Sequence, residues 1–446
     1  MNCGGDCFHF LFLYTIEKKK LMKDKISIWE IDNLIWVFIF LGIVLRLIWL
    51  PDMEWKGDEQ WMFEHSQQSV HGGQFPLVGM ESSGGIVNPG LSVWIFSAMS
   101  FVCSTPVGMA RGVAMINVIS ILGFVLFVMK KVGEKERMIW LWGLALASVS
   151  PLAVLFSRKI WEQDVIVLFS MLTIVGNAYR AKRSGAFVWG LAGAMVGQIH
   201  MSGFFYALGL VVFTVVHDLT SKQRTQWIWW FIGSVIGGVG LIPWVLFISG
   251  HPHPTTLAWS HLLQFSFYFY WIIDGLGLNI MYSIRKTFWE FIKWPYIGEM
   301  PTYLLGLIHV FLAAVGLFSI KKIYFHVKNN SKNFKSWESI KGYIAKVNMN
   351  EFYLLSILLG LGVFMNFSGV MTFQHYLIVA FPFSYIFIVK ILFKNKKLLL
   401  ALISAQMIIT ISFLVYVHMH DGIEKGDYGK SWISQQNSKP VEHDYK

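Results

Sequence analysis

The sequence predicts an all-α integral membrane protein, a polytopic bundle of about eleven transmembrane helices with interfacial helices in its first outer loop. Three observations carry this. Of 446 residues, 55% are hydrophobic and only 14% charged, well below the charged share of ordinary soluble domains. Apolar runs of membrane-spanning scale recur from one end of the chain to the other. Lys and Arg collect in alternate short connections between those runs, the bias that orients polytopic proteins. That bias accounts for the net charge of +11. No Gly-rich phosphate loop or basic-aromatic module accompanies it, so no nucleic-acid partner is expected.

Residues 1–33 read as a cytoplasmic N-terminal extension with Cys3, Cys7 and Lys18-Lys19-Lys20. Its apolar run, Phe8 to Ile16, precedes the lysines instead of following them, which argues against a cleaved signal, and Met22 is a second candidate start. With Cys103 there are three cysteines, too few for a disulfide framework, and no Cys/His set has structural-zinc spacing. A span needs about twenty apolar residues, although shorter ones occur. The spans are read as 34–50, 107–129, 138–156, 164–179, 186–199, 202–217, 227–249, 302–320, 352–367, 376–393 and 398–417. With the N-terminal lysines cytoplasmic, the basic connections follow in alternation: Lys130 to Arg137, Arg180 to Arg183, Lys222 with Arg224, Lys321 to Lys346, and Lys394 to Lys397. The outer segments are 51–106, 157–163, 200–201, 250–301, 368–375 and the tail after His418. This topology requires that Leu91–Cys103, held between Pro89 and Pro106, does not cross; it suits an interfacial or re-entrant helix. The chain thus divides into the extension, a transmembrane module over 34–393, and a last helix with a short outer tail over 394–446.

Polar residues gather in the outer segments. Loop 51–106 holds Asp52, Glu54, the adjacent acids Asp58 and Glu59, Glu64, His65 and Glu81. In helical register Asp58, Trp61 and His65 share a face, and Glu59 projects about 100° away. Asp58 can cap a short interfacial helix while Glu59 complements its dipole, or the pair can serve chemistry; the two readings are compatible. Loop 157–163 brings Arg158 and Lys159, with Asp164 opening the next span. These cations are either snorkelling anchors or, being rare on the outer side and followed by an acid at a helix mouth, functional. His200 interrupts an apolar run at outer depth, as a structural histidine or a site residue. His375 and Tyr376 start a span near Pro382, where they can bond an anionic ligand or mark the interface. Loop 250–301 carries His251, His253, Arg285 and Lys286 in an aromatic-rich stretch, suited to a lid. Two histidines between prolines are weak metal ligands, although Glu59, His251 and His253 leave a divalent metal open.

Carboxylates and cations beside apolar surface suit sugar transfer from a lipid phosphate. An acceptor hydroxyl needs a base within hydrogen-bond reach. The phosphate leaving group needs cations or a metal ion, not a protonating acid.

The order of elements resembles the GT-C glycosyltransferases of the protein O-mannosyltransferase and aminoarabinose-transferase type. The residues are Gly57-Asp58-Glu59 after the first span, then Asn88-Pro89-Gly90-Leu91, Met109-Ala110-Arg111-Gly112, Ser157-Arg158 through Asp164, Gln198-Ile199-His200-Met201-Ser202, and His375-Tyr376-Leu377 with Pro382. The resemblance covers most of 34–393. It implies a GT-C-like helical module in the cell (inner) membrane with its site facing outward, and a polyprenyl-phosphate sugar as donor. It implies Asp58 as the base, with Glu59 positioning it or binding a metal. Arg158, Lys159, Arg285, His375 and Tyr376 would contact the donor phosphate, supported by Asp164, His65 and His200. Asn88-Pro89-Gly90 departs from the Lys-Pro-Pro of the aminoarabinose branch and removes a phosphate-binding lysine. With a short outer tail in place of a large soluble domain, a protein acceptor is not favoured over a glycan or lipid one, and the acceptor is read as a glycan, lipid or protein.

The competing classes are a transporter or flippase of lipid-linked glycans, and an O-antigen polymerase or ligase. A transporter should show inverted repeats and charges near the midplane, whereas these spans are mostly charge-free. A polymerase or ligase should put an arginine-rich outer loop late in the chain, whereas here the acids come early.

Overall fold

The computed structural model describes residues 32–82, 86–221, 223–251, 265–330 and 336–438. The N-terminal cysteines, the lysine run and His253 lie outside them. The chain is helical throughout, with three two-stranded antiparallel ribbons among the described residues. Helix α1 covers 32–47. The segment between α1 and α4 contains α2 (Gly57–His71), a ribbon of β1 (Val78–Glu81) and β2 (Val87–Pro89), and α3 (Leu91–Ser100) packed on α2. Helices α4 (Pro106–Lys131), α5 (Glu134–Val149), α6 (Pro151–Leu155), α7 (Glu162–Ala178), α8 (Arg183–Ile199) and α9 (Ser202–Ser221) follow. Then come α10 (Trp227–Gly238), α11 (Ile242–Gly250), α12 (Ser266–Gly275), α13 (Met281–Ile284), α14 (Phe288–Phe291), α15 (Leu304–Asn330), α16 (Trp337–Ile344) and α17 (Met349–Ile357). A π-helical stretch (Leu358–Met365) and a 3-10 helix (Gln374–Ala380) lead to α18 (Phe383–Leu392), α19 (Lys396–Met419) and α20 (Trp432–Asn437).

All eleven predicted stretches are helical over most of their length, and length and composition support five to seven of them as spans among the described residues. Among the described residues, five helices are long and apolar enough to cross a membrane: Pro106–Lys131, Ser202–Ser221, Trp227–Gly250, Leu304–Asn330 and Lys396–Met419. Up to seven do so if each of two bent pairs is one span. Length is the physical reason. Helices α7 and α8 have 17 residues each, about 25 Å at 1.5 Å per residue, short of a hydrocarbon core of about 30 Å. The bent pairs turn by 117° between α16 and Met349–Met365, and by 82° between Gln374–Ala380 and α18. Pro382 stands at the second break, where a missing N–H and a ring clash stop a helix. Leu91–Ser100 has ten residues, too few to cross, in keeping with its expected place in the loop.

Pro151 also splits the predicted 138–156 span into α5 and α6, and the carbonyls left bare are satisfied from neighbouring helices. Arg46, fully buried in α1, donates to Ser148 O at 2.5 Å; Thr410 Oγ1 of α19 donates to Val149 O at 2.6 Å. Backbone groups in an apolar interior require such partners. Helices α8 and α10 meet backbone to backbone through glycine. A Cβ on Gly190 would land on Trp230 O, and one on Gly233 on Phe187 O, so small residues set the approach. Trp140, Trp142 and Trp189 fill the core.

A candidate carboxylate and lysine site at one end of the bundle

The chain leaves α1 through a turn in which Trp49 takes a left-handed conformation, φ 48°, and passes Glu54 and Lys56 before α2 begins. Glu59, in the first turn of α2, accepts the Lys56 backbone N–H at 3.0 Å. Such a bond satisfies one of the bare donors at a helix start. The cap is therefore Glu59 and not Asp58. Glu59 is turned inward and buried, and Asp58 is exposed at the mouth.

Behind Glu59 lies a chain of alternating charges. Lys159 Nζ is 3.4 Å from Glu59 Oε1 and 3.4 Å from Glu54 Oε2. Lys56 Nζ is 2.5 Å from Glu54 Oε1 and 3.4 Å from Asp427 Oδ2. Arg285 Nη2 reaches Asp427 Oδ1 at 2.9 Å. Lys159 also stands 4.1 Å from the Trp161 ring centroid, a cation–π position. Burial pulls the Lys159 ammonium down, but the Glu54, Glu59 and Asp164 carboxylates outweigh it and raise its pKa above the ordinary lysine value. Lys159 is a fixed positive charge.

The facing wall is the first turn of α7. Glu162 and Asp164 are both buried there, where a helix N-terminus favours negative charge. Asn88 Nδ2 stands 3.5 Å from Glu162 Oε1, at the limit of a hydrogen bond. Glu162 Oε2 and both Asp164 carboxylate oxygens have no hydrogen-bond partner among the described residues. Burial, and then the nearby charge of Asp58, push the Glu162 carboxyl up to about 8. Buried Glu162 thus keeps its proton at neutral pH.

A third wall is aromatic. The His375 ring lies 4.9 Å from Trp161 and stacks on Phe373 at 5.6 Å. Tyr376 meets His200 edge-on at 4.8 Å. His200, at the break between α8 and α9, shares a hydrogen bond of 2.7 Å between Nδ1 and Ser202 Oγ, and burial pushes it down to about 3, so it is neutral. His375 Nδ1 has no hydrogen-bond partner among the described residues.

Of the residues singled out in the sequence, Asp58, Glu59, Lys159, Asp164, His200, His375 and Tyr376 gather at this end. Arg158 is buried behind them, its guanidinium donating to Leu45 O and Trp49 O at 2.8 Å each; it ties down the end of α1. Arg285 is half exposed at the far end of the charge chain. His65 stacks on Trp61 at 3.9 Å. His251 is exposed at the end of α11, bonded to Phe247 O of its own helix at 3.0 Å. Among the described residues no group of three or more His, Cys, Asp or Glu is arranged to hold a metal ion.

The structure adds residues that local sequence did not single out. Lys56 and Glu162 complete the cluster together with Glu54, named among the loop acids but given no role; the acid pair Glu162-x-Asp164 at a helix start was the available signal. The segment after α19 packs over the cluster. Tyr428, buried, donates its hydroxyl to Asp52 O. Trp432 N–H donates to Met53 O at 3.0 Å, and Gln435 Nε2 to Trp55 O at 2.7 Å. Ser431 bridges Glu54 through the backbone.

No family model and no curated protein matches this chain. Two solved structures are similar to it, both of the Archaeoglobus fulgidus oligosaccharyltransferase. The crystal structure in the apo form shares 11% identity at a TM-score of 0.47, covering 90% of this chain and 56% of that one. The complex with Zn and sulfate shares 12% at 0.45, covering 89% and 53%. The chain spans about half the length of these structures.

Proposed function

We propose that this protein is a membrane glycosyltransferase that moves a sugar from a polyprenyl-phosphate donor to a glycan or lipid acceptor, with Asp58 as the general base. The observation that carries the reading is an exposed carboxylate, Asp58, close enough to the buried acid Glu162 to act on its charge, beside a buried Lys159 ammonium held by Glu59. The acceptor hydroxyl attacks the anomeric carbon and gives its proton to Asp58. A new C–O bond forms there, and the bond to the donor phosphate breaks with its electron pair passing to the phosphate. Lys159 supplies fixed positive potential, and Tyr376 and His375 supply donors toward the leaving oxygen. Glu59 serves as a positioning residue that fixes the start of α2, and thereby Asp58. Protonated Glu162 offers a hydrogen bond to a sugar hydroxyl without adding a second negative charge. The lipid tail lies in the bilayer alongside.

The test is transfer from a purified polyprenyl-phosphate sugar by the full chain, comparing wild type with Asp58→Asn. The expected result is a fall of at least about a hundredfold in turnover with donor binding and thermal midpoint unchanged. Transfer by the variant at the wild-type rate would remove Asp58 from the role. Movement of an intact lipid-linked glycan across vesicles, without sugar transfer, would replace the enzyme with a flippase.

A further inference from the structure

The opposite end of the bundle holds a second cavity. Its position follows from α7: Tyr353 of α17 donates to Asn177 Oδ1 at 3.2 Å, and Asn177 lies about 22 Å along the helix from Glu162 at 1.5 Å per residue. The cavity, of about 570 Å³, lies between the second half of α15, the α17 and π-helical stretch, and α18, with Tyr343 of α16 at its edge. Its wall is apolar, including Leu355 and Phe387, and its rim carries Lys322, His326 and Lys390 against one acid, Glu351. Lys390 Nζ is 2.9 Å from Glu351 Oε1, so that pair is neutral. Among the described residues Lys322 Nζ makes one hydrogen bond, to the backbone carbonyl of Ile391 at 3.3 Å, and stands 4.8 Å from the Phe318 ring centroid; an ammonium has three protons to donate.

We propose that this cavity binds one anionic phospholipid of the surrounding bilayer, its phosphate at Lys322 and Lys390 and an acyl chain along the Leu355 and Phe387 wall. Two features argue for a lipid. The 117° bend after α16 turns that helix across the direction of the next one, and Trp337 and Tyr343 on it are exposed, as aromatic residues are at headgroup level. Charge complementarity argues for an anionic lipid: the neighbouring 321–346 segment also carries Lys321, Lys341 and Lys346, and basic pockets between spans bind anionic headgroups. The proposal is independent of the chemistry at the carboxylate end.

Native mass spectrometry of the delipidated full chain tests it, with dioleoylphosphatidylglycerol, dioleoylphosphatidylcholine and inorganic phosphate as probes. Phosphatidylglycerol should be retained at roughly tenfold lower concentration than phosphatidylcholine. Each basic group near a headgroup changes affinity about fivefold, so the Lys322→Gln, Lys390→Gln double variant should lose roughly twentyfold for phosphatidylglycerol and little for phosphatidylcholine. Leu355→Trp keeps every charge but fills the groove, and should also weaken phosphatidylglycerol, which attraction to the surface alone would not explain. It serves as well if the double variant does not fold. Equal retention of the two lipids, an unchanged Leu355→Trp, or displacement of phosphatidylglycerol by millimolar phosphate would each overturn the lipid site.

Discussion

Lys159 and Glu54, each almost fully buried, stand 3.4 Å apart, with Glu59 an equal distance from the same ammonium. Glu54 is also held by Lys56 at 2.5 Å, whereas Glu59 has Lys159 as its one ion-pair partner among the described residues, and that asymmetry governs what substitution does. Lys159→Met should destabilise the protein by about 3–5 kcal/mol, because it leaves buried charge unpaired. Adding Glu59→Gln, which removes the charge left unpaired, should recover part of the loss, a coupling read from a double-mutant cycle of unfolding midpoints.

Glu162 gives a pH signature. Its carboxyl sits at about 8 when folded against about 4.3 in an unfolded chain, so between these values the folded protein holds a proton that the unfolded one releases. Its contribution is therefore fully present below about pH 4 and is lost as pH rises toward 8, with a slope of about 1.4 kcal/mol per pH unit. Glu162→Gln should remove that slope. The check is the thermal midpoint of both proteins from pH 5 to 9, where the variant should gain on wild type steadily up to about pH 8.

The tail should matter through Tyr428 more than through its exposed charges. Asp427→Ala breaks partly exposed pairs to Lys56 and Arg285, each worth about 0–1 kcal/mol. Tyr428→Phe leaves the buried Asp52 carbonyl without its donor, at a cost of about 1–3 kcal/mol. Unfolding midpoints in detergent should rank them in that order. Truncation after His420 should lower both midpoint and transfer.

Gly233→Leu should separate α10 from α8, since even a Cβ there meets Phe187 O. A loss of at least about 2 kcal/mol is expected, seen as a lower midpoint. Leu substituted at Gly238, whose Cβ would meet nothing within 4 Å, should cost far less.

The helices were legible because an apolar run in lipid must satisfy its own backbone, which leaves little besides a helix. Their breaks were less so. Pro151 stops α5 through its own ring and missing N–H, but the break is tolerated in an apolar interior because Arg46 and Thr410, distant in sequence, donate to the freed carbonyls. At the site, Asp58, Lys159 and Asp164 stood out as charges beside apolar spans. Arg158 stood out equally, yet it bonds Leu45 O and Trp49 O; a cation near a helix end looks the same in sequence whether it faces a ligand or a carbonyl. Lys56 and Asp427 meet across 371 positions, and no local pattern announces such a contact.

The strap of residues 421–438 over the segment that bears Asp58 has a consequence for biogenesis. That segment leaves the ribosome early, but the residues that pin it are synthesised only after α19. Until they follow, Glu54 and Lys56 lie beneath an unfinished roof. A nascent protein arrested before that moment would display its helices in place and its charge cluster uncovered.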